Sequence, residues 1–166
     1  MQKILSRCLL IAYLVILVWL VLFKFAGNAS AILHQNHRSL NLVPFAAPSM
    51  LNGKINYGEI VFNCVFFIPF GLLLCVNFKK GGFLSKLAII LAFSLTAEIT
   101  QYIFRIGATD ITDVITNTGG GLIGLILYSL CNKFISDDKL DRIIIVGGIV
   151  LLILFILFRT RVTFRY

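Results

Sequence analysis

Glu98 is the residue whose chemistry most needs a reason. It lies in an apolar run that ends six residues later at Phe104. A charged side chain at the middle of a bilayer costs about 2.5–3.5 kcal/mol on insertion scales. Such a carboxyl faces a bundle interior, pairs with a cation or takes up a proton. Ser94 precedes it by four residues, and Gln101 and Arg105 follow at three and seven. On a helix these spacings put all four residues along one face. Asp110, Asp113 and Asn117 repeat the pattern at the start of the next apolar run, spaced by three and four. Carboxylates and amides so arranged can do acid–base work, hold a divalent cation or orient an arginine toward an anion. No nucleophile motif or metal-ligand box accompanies them, so no metal and no cofactor is expected. His34 and His37 sit three apart in a loop without a third ligand nearby and read as solvated or interfacial.

The elements that must position these residues follow from composition. Of 166 residues, 59% are hydrophobic and 13% charged, with a mean hydropathy of +0.97. Soluble domains run about 45–50% apolar and about 25% charged. A soluble enzyme, a DNA-binding domain and a disordered chain are thereby excluded. Five apolar runs, near 8–25, 59–78, 83–104, 111–131 and 143–159, predict an all-α polytopic membrane bundle. A span takes about 20 residues, so five spans leave no room for a second domain, and residues 1–166 read as one. The first run resembles a signal peptide, with Lys3 and Arg7 before it and Ala29-Ser30-Ala31 after it. It is long for such a peptide, and an uncleaved first span is expected. Between the first two runs, the stretch 40–51 is broken by Pro44 and Pro48. It is too short to span and suits an interfacial or re-entrant segment.

Fifteen Lys and Arg against seven Asp and Glu give a net charge of +8. In a membrane protein such residues sit at span ends facing anionic headgroups. The bilayer is therefore the expected partner and nucleic acid is not. Basic residues divide almost evenly between the two sides, and only the short loops favour an inside N-terminus. Cys8, Cys64, Cys75 and Cys131 lack CxxC spacing and read as small buried apolar residues. The oligomeric state is left open.

Depth gathers the polar residues. Asn63 lies near the start of the second run, Glu98 and Gln101 near the end of the third, Asp113 and Asn117 near the start of the fourth. In alternating helices these ends share one side of the membrane, as do Arg38 and Asn41 in the preceding loop. At 1.5 Å per residue the cluster reaches roughly 9 Å deep. Glu98, Asp110 and Asp113 can meet Arg38 and Arg105 there. Three readings are open: a charge-paired latch that sets helix register, a polar pocket for an envelope molecule, and a catalytic carboxylate site. Pro69 predicts a kink in the second span, and Gly120 with Gly124 predicts close packing of the fourth.

Three ordered blocks carry a family resemblance. Arg38-Ser-Leu-Asn41-Leu-Val-Pro44-Phe45 resembles the R-x-x-N-L-x-P-F segment of the VanZ-like membrane proteins. Asn63-Cys-Val-Phe-Phe-Ile-Pro69-Phe-Gly71 is similar to their second block. Ser94, Glu98, Gln101, Arg105, Asp110, Asp113 and Asn117, with the glycines that follow, are similar to their third. The resemblance implies a small multi-span protein of the bacterial cytoplasmic membrane. It also implies a link to low-level resistance to teicoplanin, a lipid-tailed glycopeptide that binds peptidoglycan precursors. A glycopeptide or a lipid-linked cell-wall precursor is the expected ligand of the site formed by Arg38, Asn41, Asn63, Glu98, Gln101, Arg105, Asp110, Asp113 and Asn117. The alternatives are a membrane enzyme acting on a lipid-linked substrate and a proton-coupled transporter.

Overall fold

The computed structural model describes residues 2–23, 39–45, 50–51, 54–55, 57–105 and 108–163. Among these, five helices are long and apolar enough to cross a membrane. They are α1 (Gln2–Phe23), α2 (Gly58–Asn77), α3 (Phe83–Phe104), α4 (Ile111–Cys131) and α5 (Asp137–Thr163). The described part of the long loop holds three short strands and a turn at Pro44 and Phe45. Strand β1 (Ser39–Asn41) is followed by β2 (Met50–Leu51) and β3 (Lys54–Ile55), which pair with each other antiparallel. Strand β4 (Ala108–Asp110) precedes α4 and pairs with β1 in parallel, Asn41 opposite Asp110.

Helices α1 and α5 extend beyond the apolar runs that announce them. Each begins in polar residues, Gln2 and Lys3 in α1 and Asp137 and Asp138 in α5. Straight-chain polar residues favour a helix nearly as well as apolar ones, and acidic residues in a first turn suit the helix dipole. Helix α3 stops at Arg105, which takes the left-handed conformation (φ 57°) while its N–H closes on Gln101 O.

The core centres on α2 and α4, which approach closely because glycines face each other's backbone. A Cβ on Gly120 would lie 2.0 Å from Cys64 O, one on Gly124 2.2 Å from Ile68 O, and one on Gly71 2.2 Å from Gly121 O. Ile90 of α3, fully buried, fills the space beside Gly121. Phe67 and Phe70 of α2 pack against Phe93 of α3, with Phe70 and Phe93 centroids 5.2 Å apart. Pro69 in α2 has no N–H to give the Val65 carbonyl four residues before it, and at the next residue the Tyr13 hydroxyl of α1 donates to Phe66 O. Helix α5 lies outermost, with Ile143, Val146, Leu151 and Leu154 all exposed. The cysteines are free, and only Cys75 is buried; Cys8 lies on an exposed face of α1.

Candidate functional site

Helices α2, α3 and α4 bring their polar residues to one end of the bundle. Ser94, Gln101 and Asn117 are fully buried, Glu98 is 3% exposed and Asp113 is 5% exposed. Successive residues of the α4 face meet different partners. Asp110 caps the helix, its Oδ1 accepting from the Thr112 N–H at 2.8 Å. Its Oδ2 accepts from Asn41 Nδ2 at 3.1 Å, so its register partner in β1 is also held by side chains. One turn on, Asp113 Oδ1 accepts from Asn63 Nδ2 of α2 at 2.7 Å. One further turn on, Asn117 Nδ2 donates to Ser94 Oγ of α3 at 3.0 Å.

Glu98 is joined to the same helix start by two bonds. Its Oε2 accepts from the Asp110 N–H at 2.9 Å, and its backbone carbonyl accepts from Thr109 Oγ1 at 3.2 Å. Gln101 turns the other way. Its Nε2 donates to Val21 O of α1 at 3.1 Å, satisfying a carbonyl that the last turn of a helix leaves unpaired. Gln101 Oε1 and Asn117 Oδ1 are buried without a hydrogen-bond partner among the described residues.

The loop contributes one strained position. Phe45 has φ 58°, a region that bulky residues rarely enter. Its N–H donates to Thr112 Oγ1 at 3.0 Å, and Val43 N–H donates to Asn41 Oδ1 at 3.2 Å. The turn after β1 is thus pinned to the start of α4.

Of the residues singled out by spacing, Asn41, Asn63, Glu98, Gln101, Asp110, Asp113 and Asn117 gather at this end. Arg105 does not continue the buried face. The helix ends at it, and its side chain is exposed. Arg38 lies outside the described residues, as do His34 and His37. Thr109 and Thr112 join the network without having been singled out. Asp110 at the head of an apolar run is an N-cap signal, but it points to the backbone N–H of residue 112 and not to the Thr112 hydroxyl. Nothing in the spacing marks Thr109 or the Val21 carbonyl. Among the described residues no three of His, Cys, Asp and Glu are placed to share a metal ion.

The arrangement can accept hydrogen bonds at buried carboxylate and amide oxygens, and it couples the β1–β4 pair to the membrane-embedded helices. The chain is 55% identical over 166 residues to Protein VanZ of Enterococcus faecium, covering all of this chain and 99% of that protein. No solved structure matches it significantly. The VanZ/LLP1 family model matches residues 10–132, from within α1 to just past the end of α4. That stretch contains every residue of the polar network, and the chain belongs to the VanZ/LLP1 family.

Proposed function

We propose that the chain is a multi-pass protein of the bacterial cytoplasmic membrane that contributes to teicoplanin tolerance through the polar cluster at one end of its bundle. The observation that carries this reading is the burial of Glu98, Gln101, Asp113 and Asn117 in helices otherwise built from apolar residues. Burial of polar groups is unfavourable unless hydrogen bonds compensate it. Gln101 and Asn117 are compensated only in part among the described residues. A purely structural latch has no use for acceptors left over. A glycopeptide or a lipid-linked cell-wall precursor carries the amide, hydroxyl and ammonium donors that such acceptors take. The Asp110 N–H already occupies Glu98 Oε2. A ligand group arriving at that oxygen therefore shares it with the bond that holds β4 and, through β4, β1.

The test is teicoplanin susceptibility of a sensitive strain expressing the wild type or Glu98→Gln. The substitution keeps the side chain's size and removes its charge. Loss of tolerance to the empty-vector level, at an unchanged amount of protein in the membrane, is the expected outcome. Wild-type tolerance in the variant overturns the site.

A further inference from the structure

We propose that the opposite end of the bundle holds an anionic phospholipid, its phosphate in a basic pocket between α1 and α2 and an acyl chain in the cleft below. The pocket, about 350 Å³, is walled by Lys3 and Arg7 of α1 and by Asn77, Lys79 and Lys80 at the end of α2. Lys79 is already engaged, donating to Asp141 Oδ1 at 2.7 Å and to the Tyr128 hydroxyl. Lys3, Arg7 and Lys80 have no ion-pair partner among the described residues. Three like charges around one concavity repel each other unless an anion joins them.

Asn77 adds a second, independent observation. Its Nδ2 donates to Ser6 O at 3.3 Å and Leu73 O at 2.9 Å, which fixes the amide's orientation. Its Oδ1 is buried and without a partner among the described residues. Inorganic phosphate can offer that oxygen a hydroxyl only from its own charged group. A glycerol headgroup offers it hydroxyl donors while its phosphodiester meets the cations.

The cleft supplies the third. A cavity of about 560 Å³ lies between α1, α2 and α5, lined by Leu9, Tyr13, Leu73, Gly147, Gly148 and Phe155 among others, nearly all apolar. Leu9 follows Ser6 by three residues and Leu73 precedes Asn77 by four, so the cleft opens within one turn of the pocket. Gly147 borders open space there, for a Cβ on it would meet nothing within 4 Å, so a large side chain at this position would enter the cleft. Headgroup chemistry above and an apolar slot below, on the same two helices, match a phospholipid and not a soluble anion.

Purified full-length protein in mild detergent would be titrated with phosphatidylglycerol, phosphatidylcholine and inorganic phosphate. Bound mass is read by native mass spectrometry and stability by thermal unfolding. Phosphatidylglycerol is expected to bind and raise the unfolding temperature, with phosphatidylcholine and phosphate well behind. Replacing Arg7 and Lys80 together by Gln should weaken phosphatidylglycerol binding about tenfold or more. Replacing Lys133 and Lys139, basic residues of the same end outside the pocket, should leave it near wild type. Gly147→Leu should lower phosphatidylglycerol binding by occupying the cleft. If that variant does not fold, the Arg7/Lys80 pair decides alone. Equal weakening by both charge-removing pairs, equal binding of phosphatidylcholine, or inorganic phosphate as effective as the lipid each overturn the proposal.

Discussion

The two ends of the bundle handle charge in opposite ways. At one end Glu98, Asp113 and Asn117 are buried, and their hydrogen bonds run between α2, α3, α4 and the β1–β4 pair. At the other, Lys79 bridges α2 to Asp141 of α5 while the Tyr128 hydroxyl of α4 donates to Asp141 Oδ1 at 2.8 Å. The Lys79 ammonium also sits 4.9 Å from the Tyr128 ring centroid. Side-chain exposure there is 39% for Lys79 and 13% for Asp141. Water screens the second arrangement and hardly reaches the first. The ionic end therefore joins helices at a smaller desolvation cost and for a smaller gain, whereas the buried end carries a large cost that only well-made bonds or a ligand offset.

The largest expected effect tests that asymmetry directly. Asp113→Ala leaves Asn63 Nδ2 without its acceptor in a partly buried position. Bonds to charged groups are worth about 1.5–3 kcal/mol, and a stranded donor adds to the loss. Asp141→Ala removes a partly screened ion pair, worth about 0.2–1 kcal/mol, together with the acceptor of the Tyr128 hydroxyl, which keeps Lys79 as a partner. Chemical unfolding in detergent should rank Asp113→Ala well below Asp141→Ala in stability. The reverse order would make the partly exposed triad the true clamp of the fold.

A second, comparable effect separates the buried network from the helix contact beneath it. Gly120→Ala drives a methyl group into the Cys64 carbonyl, a backbone atom that cannot rotate away. Overpacking of this kind costs about 1–3 kcal/mol. A Cβ at the neighbouring Gly119 meets nothing within 4 Å, so Gly119→Ala should be neutral or gain slightly from reduced chain entropy. If both alanines are tolerated alike, α2 and α4 are not held at the distance described, and the Asn63–Asp113 bond across them loses its geometric basis.

These two regions also differ in how far residue spacing announced them. Glu98, Gln101, Asp110, Asp113 and Asn117 repeat at helical intervals in apolar surroundings, and a lone polar group in an apolar run is conspicuous. Gly120 and Gly124 were legible for the same reason. The β1–β4 pair was not, because three residues of parallel strand have no measurable periodicity and their partners lie 69 positions apart. The Lys79–Tyr128–Asp141 triad was hidden in the ordinary way of span ends. Lysines, tyrosines and aspartates are common there, and only the tertiary fold picks out which three meet. Arg105 shows the opposite failure: helical spacing extends its face past the point where the helix stops.

The smallest effect concerns pH at the ionic end. Burial alone would lower the Lys79 ammonium, but hydrogen bonds to Asp141 and Tyr128 outweigh it, and its pKa lies above the ordinary lysine value of 10.5. A lysine raised in this way contributes stability that is complete below its unfolded value and is lost as pH climbs through the folded one. Lys79 should therefore leave the unfolding temperature flat from about pH 6 to about pH 9 and start to lower it only near and above 10.5. Lys79→Gln should flatten part of that alkaline decline and leave the neutral plateau's shape unchanged. If Lys79→Gln instead changes the slope between about pH 6 and pH 9, the ammonium is titrating in the wrong window, and Asp141 and Tyr128 are not holding it charged as the geometry requires.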